Sequence, residues 1–208
     1  MDLVIVGAGS VGGHLALNLE EYTGSLNLLG FVDDDPRKQG TKVFGFEVLG
    51  KIDWLLEREN LAVVVGIAFP NIKAKIIEKL RANRGLVFPT LISSKAWISK
   101  GTVIGDGCLI YPGVSINYGC NISDFVIINM NSAIGHDCTI GKYTSLAPGV
   151  NLGGHTNIGR VVEIGIGAST KQSVEIADGA VIGGQTMLIE SVFPGEKVIG
   201  VPGRVLGK

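Results

Sequence analysis

The chain has 208 residues, 18 basic and 19 acidic side chains and a net charge of −1. It therefore lacks the basic face that neutralises phosphates, and nucleic acid is excluded as a partner. This length buries a core without help from a metal or disulfide. Glycine supplies 31 residues and aromatics only 6 %, against a usual glycine share of about 7 %, which predicts many tight turns around small aliphatic side chains.

The opening run Leu3-Val4-Ile5-Val6 ends at Gly7. It is too short for a signal peptide or a membrane span, so no membrane partner and a cytoplasmic location are expected. Residues 3–14 predict a buried strand, the turn Gly7-x-Gly9-x-x-Gly12, and a helix, the context in which glycines bring backbone N–H groups to phosphates. A second strand, Leu28 to Val32, runs into Asp33-Asp34-Asp35-Pro36, about where an acidic residue meets a ribose or base. The alternative for Asp33 and Asp34 is a solvated turn before Pro36. A third apolar run, Leu61 to Val65, ends at Gly66, and a helix is predicted from about Asn71 to Arg84. This alternation predicts a Rossmann-like α/β domain over residues 1–92. It is half of a full dinucleotide fold, which favours a mononucleotide or nucleotide sugar over a dinucleotide, with a purely structural turn as the alternative.

From residue 93 to 208 the pattern changes. Sixteen positions at six-residue spacing, Ile98 through Leu188, are Ile or Leu with the single exception of Thr170, and the residue four places after each is small. A helical period of 3.6 cannot hold a period of six on one face. A parallel β-helix can, with three hexapeptides per eighteen-residue coil, the aliphatic residue pointing inward and the small one beside the bend. Cys108, Cys120 and Cys138 fall in the small column and are expected to fill core, with no disulfide or metal role.

The segment Asn129-Met-Asn-Ser-Ala-Ile-Gly-His136-Asp137-Cys-Thr-Ile-Gly141 and the ending Gly200-Val201-Pro202-Gly203-Arg204, behind the front domain just described, resemble the sialic-acid-type sugar O-acyltransferase family. Within it they are most similar to the N-acetyltransferases acting on nucleotide-linked 4-amino sugars of the bacillosamine and perosamine type. The resemblance implies a left-handed β-helix, a homotrimer, and acetyl-CoA lying between adjacent helices, in bacterial surface glycan synthesis. It implies that His136 is the general base and that Asp137 raises its basicity. Positions matching coenzyme contacts are Ser145, Gly154, Ile166, Glu175 and Gly184. Those matching nucleotide-sugar contacts are Gly9, Ser10, Val11, Asp33, Asp34 and Gly66. By the same resemblance, the family's front loop often carries a histidine at the position of Val11, and some relatives place one at that of Ser145.

Acetyl transfer needs a group to take the proton of the attacking amine, and an imidazole, with an ordinary pKa of about 6.5, suits that task. His136 stands two residues after inward Ile134 and is expected outside the prism. Backbone N–H groups near Gly153-Gly154 are candidate oxyanion donors. His155 is expected to be exposed or to line a groove. Only His14, His136 and His155 are present, and His14 lies in the front domain, so a three-histidine metal site is not expected. Transfer to a sugar or sialic-acid hydroxyl, and a non-catalytic trimeric nucleotide-sensing scaffold, are the alternatives.

Overall fold

The computed structural model describes residues 1–22 and 24–207. The chain forms two compact units, Met1–Leu91 and Ile92–Lys208. Among the described residues no helix is long and apolar enough to cross a membrane.

The first unit is built on strands β1 (Asp2–Val6), β2 (Asn27–Val32), β3 (Lys42–Val43), β4 (Phe46–Gly50), β5 (Leu61–Val65) and β6 (Leu86–Val87), with helices α1 (Ser10–Leu17) and α2 (Pro70–Leu80). The sheet order is β3-β4-β2-β1-β5-β6. The central strand β1 pairs in parallel with β2 and β5, and Leu3, Val4, Ile5 and Val6 are all fully buried. A parallel strand covered on both faces has no solvent side, so the apolar run is continuous and does not alternate.

Two features of this unit differ from the sequence reading. Helix α2 ends at Leu80, not near Arg84. Asn83 explains the early end: its amide donates to the carbonyls of Leu55 (2.9 Å) and Arg58 (2.7 Å), and its Oδ1 accepts the Gly85 N–H (2.9 Å). An asparagine serving as a turn anchor cannot also be an ordinary helical residue. The antiparallel β3–β4 hairpin is too short to leave a periodic signal, and its turn residues Phe44 and Gly45 both have positive φ.

The second unit is a triangular stack of two-residue strands in three parallel ladders. One face carries Ile110, Ile128, Leu146, Ile164 and Ile182 in register. A second carries Ile98, Ile116, Ile134 and Leu152, and the third Ile104, Ile122, Ile140, Ile158 and Ile176. From Ile110 to Leu188 these inward residues are buried, Thr170 included.

The small column does more than fill space. Side-chain donors in it reach a carbonyl fifteen residues ahead, on the next coil: Cys108 to Ser123 (3.1 Å), Cys120 to Gly135 (3.1 Å), Ser132 to Ala147 (3.2 Å), Cys138 to Gly153 (3.4 Å) and Thr144 to Gly159 (2.9 Å). A buried carbonyl at a bend has no ladder partner of its own, and a thiol or hydroxyl of the right reach satisfies it. All three cysteines are buried and none is in a disulfide.

Thr170, the break in the aliphatic column, acts in the same way. Its Oγ1 accepts the Gly153 N–H at 3.0 Å and lies 3.0 Å from Thr156 Oγ1. The equivalent rung one coil earlier, Gly135 N–H to Leu152, ends on a backbone carbonyl. Thr170→Val keeps the volume but leaves the part-buried Gly153 N–H without its acceptor, and should lower stability by about 1–3 kcal/mol. The shift of the denaturant midpoint measures this; an unchanged midpoint would show that the hydroxyl is dispensable.

Candidate functional site

Each unit presents a concentration of chemistry. In the first, the tip of the parallel sheet opens into a cleft of about 380 Å³ lined by Gly9, Ser10, Val11, Asp33, Asp34 and Gly66 together with apolar side chains from α2. All six positions singled out in the sequence border this one space. They are not equivalent. A β-carbon at Gly12 would run into the Gly7 carbonyl, and one at Gly66 would stand 2.9 Å from the Gly12 backbone, so these glycines let α1 approach the sheet. A β-carbon at Gly9 would meet nothing within 4 Å, so the Gly9 position looks into open space.

The aspartates hold the loop that rims the cleft. Asp33 Oδ2 accepts the Ala8 N–H (2.9 Å) and Asp33 Oδ1 the Asp35 N–H (2.9 Å). Lys38 Nζ donates to Asp33 Oδ2 (2.7 Å) and to the Ala8 carbonyl (3.2 Å). Asp34 Oδ1 accepts the Ile52 N–H at 2.9 Å. Burial pushes the Asp33 carboxyl up, but the Lys38 ammonium and the two backbone donors outweigh it and leave the pKa below the usual value. The sequence reading missed Lys38; its signal is a lysine five residues after Asp33 and two after the Pro36 that turns the chain.

In the second unit, His136, Asp137 and their neighbours occupy the edge between the second and third faces. His136 Nδ1 lies 2.8 Å from Asp137 Oδ2, which assigns the Nδ1 proton to that bond and leaves the lone pair on Nε2. The imidazole side chain is 31 % exposed and the carboxylate 41 %. The eighteen-residue coil sets what surrounds the pair. Tyr118, one coil before His136, stacks on the imidazole with centroids 5.4 Å apart and planes 17° from parallel. Gly154, one coil after, leaves room for it, because a β-carbon there would stand 2.6 Å from His136 Nε2.

His155, one coil after Asp137, is exposed. Its ring sits 4.9 Å from that of His136 at 87°. One ligand atom from each of His136, Asp137 and His155 lies within 4.8 Å of the others. His14 is elsewhere, bonded through Nε2 to the Tyr22 hydroxyl at 2.8 Å. Tyr118 was not anticipated; it becomes visible only when the chain is laid out in eighteens.

The positions matched to coenzyme contacts are spread over several surfaces. Gly154 is beside His136. Ile166, 60 % exposed, and Gly184 stand at the edge between the first and second faces, one coil apart. Glu175 lines a groove of about 350 Å³ on the third face, next to Phe193. Ser145 is buried on the first face. One chain thus does not gather these residues into a single pocket. Of the proposed oxyanion donors, the Gly153 N–H is already given to Thr170, which leaves the Gly154 N–H.

Residues 2–80 match the PglD N-terminal domain family, and residues 119–154 match the bacterial transferase hexapeptide (six repeats) family. No curated protein matches the chain significantly. Among solved structures, the acetyltransferase domain of PglB from Neisseria gonorrhoeae is 28 % identical over 99 % of both chains, with a TM-score of 0.87. PerB from Caulobacter crescentus, solved with CoA and GDP-perosamine, is 27 % identical over 100 % of this chain and 98 % of its own, with a TM-score of 0.90. WeeI from Acinetobacter baumannii is 27 % identical over 99 % of this chain and 100 % of its own, with a TM-score of 0.87. The architecture is therefore a Rossmann-like N-terminal domain followed by a left-handed parallel β-helix.

The lowered pKa of Asp33 makes the first unit sensitive to acid in a defined direction. The carboxylate contributes fully above its unfolded value of 3.8, and its contribution is lost as pH falls through the lower folded value. Asp33→Asn should therefore be less stable than the native protein at neutral pH, and the gap should narrow as pH drops below about 3.8. Denaturation midpoints of the first unit across this range test it; a gap independent of pH would contradict the assignment.

Proposed function

We propose that the chain transfers an acetyl group from acetyl-CoA to the amine of a nucleotide-linked amino sugar, with His136 as general base and Asp137 as its orienting partner. The observation that carries this reading is the part-exposed His136–Asp137 pair, with Nδ1 tied at 2.8 Å and the imidazole seated over Gly154, where no side chain crowds Nε2. The whole-length likeness to PerB, solved with CoA and GDP-perosamine, supplies the substrate class.

The amine nitrogen attacks the thioester carbonyl carbon, and its proton passes to His136 Nε2. The carbonyl electrons move onto oxygen, where the Gly154 N–H is the nearby donor. Collapse of the tetrahedral intermediate breaks the carbon–sulfur bond and leaves an amide and the CoA thiolate, which takes up a proton. The carboxylate of Asp137 stabilises the imidazolium formed in between. No metal takes part in this scheme. The nucleotide occupies the cleft around Gly9 and Ser10, with its phosphates toward the N-terminus of α1.

Kinetics of two variants separate the two halves of the reading. His136→Ala should lower kcat by about 10²- to 10⁴-fold with little change in acetyl-CoA affinity. Gly9→Ala, whose β-carbon meets no protein atom within 4 Å, should raise KM for the nucleotide sugar more than for acetyl-CoA. Release of CoA thiol with amino but not hydroxy sugars supports N-acetylation. Preference for the hydroxy sugar would assign O-acetylation, and no release with either would favour the scaffold.

The working form in this proposal is a cytoplasmic homotrimer. The matched coenzyme positions stand on different edges of one prism, and a second copy can set one edge opposite another. Three cysteines outside any disulfide fit a reducing compartment. Light scattering on the active protein should give three chains; an active monomer would refute this.

A further inference from the structure

We propose that His136, Asp137 and His155 together bind one divalent transition-metal ion, and that occupation of this site switches the enzyme off. The inhibition rests on the assignment of His136 as base; the binding does not. One ligand atom from each residue lies within 4.8 Å of the other two, and His136 Nδ1 and Asp137 Oδ2 are 2.8 Å apart. A small ion with bonds of about 2.0–2.2 Å to nitrogen and oxygen holds tetrahedral donors about 3.3–3.6 Å apart, so the widest pair closes by about 1.5 Å at most. All three side chains reach solvent, so an ion has access to them.

The backbone that carries these side chains is already arranged. Asp137 and His155 occupy the same left-handed corner in successive coils, with φ of 56° and 58°, and the His155 N–H donates to the His136 carbonyl at 2.9 Å. Because Gly154 has no side chain, the His155 ring stands beside that of His136 with nothing interposed. The sequence reading set aside a three-histidine site because His14 lies in the other unit. The structure supplies a different donor set, two imidazoles and a carboxylate.

That set defines the class of ion. Imidazole donors suit Zn(II), Co(II), Ni(II) and Cu(II), whereas Mg(II) and Ca(II) select oxygen ligands. Three protein donors leave a fourth position for water. A metal on either nitrogen of His136 removes its basic function. If the ion takes Nε2, the lone pair facing the substrate is gone. If it takes Nδ1, the neutral ring carries its proton on Nε2 and again has no lone pair there.

Tag-free protein dialysed against a chelator should be titrated with Co(II) and, separately, assayed for acetyl transfer with added Zn(II). One equivalent of Co(II) should produce a visible d–d band that Zn(II) abolishes, and Zn(II) should inhibit transfer. His155→Asn should keep the basal rate, lose the Co(II) band, and require about 10- to 100-fold more Zn(II) for the same inhibition. Asp137→Asn should also lose the band. A Co(II) spectrum or Zn(II) sensitivity unchanged by His155→Asn would overturn the proposal. The Co(II) titration reads binding without turnover, so it stands even if the transferase reading fails.

Discussion

Every feature of the second unit depends on the hydrogen-bonded register between successive coils. Each coil except the last, where Val181 pairs with Lys197, contributes eighteen residues, and its rungs join residues eighteen places apart or their close neighbours, as in Ser145 N–H to the Val162 carbonyl and Asp137 N–H to the Tyr118 carbonyl. Inward aliphatic residues then stack on one another. Thiols and hydroxyls of the small column meet the carbonyl that each bend leaves over. The left-handed corners also align, and non-glycine residues such as Phe125, Asn131, Asp137, Tyr143 and His155 accept a positive φ there. Each such residue carries a cost of about 1–2 kcal/mol, which the surrounding ladder offsets.

The chemistry of the edge follows from the same register. Tyr118 and Gly119, His136 and Asp137, Gly154 and His155 form three stacked pairs. In the first column an aromatic ring lies on one side of the imidazole and an empty glycine slot on the other. In the second, Gly119 clears space for the Asp137 carboxylate, and His155 stands above it. The histidine is thereby held in one orientation by stacking and by its carboxylate, without a buried pocket, and its free nitrogen stays open to a substrate.

The β-helix was legible from its two columns of residues, because a period of six sustained over about ninety residues fits no other regular structure. Its hand was not; that came from family likeness, since periodicity is blind to mirror images. Strands β1, β2 and β5 of the front sheet were readable as apolar runs, and Leu61–Val65 appears in the structure with the expected bounds, whereas β3, β4 and β6 were not. The C-terminal end of α2 was misjudged because propensity cannot foresee that the Asn83 side chain reaches back to Leu55 and Arg58. Tyr118 and Lys38 escaped notice for a related reason, since each matters through a partner brought near by folding. Thr170 looked like a defect in the pattern until its hydroxyl was seen to replace a ladder acceptor.

The stacked coil also restricts how such a chain can change in length. A single inserted or deleted residue inside the ladder would rotate every downstream side chain out of its column, bringing aliphatic residues to the surface and polar ones into the prism. Only a loop bulging from a corner, or a whole number of coils, leaves the remainder in phase. Growth by duplication of eighteen-residue blocks is therefore the tolerated route. A block inserted between His136 and Gly154 would move Gly154 a full strand spacing, about 4.8 Å, from the imidazole it accommodates, so the edge bearing this histidine is the stretch of the prism least open to lengthening.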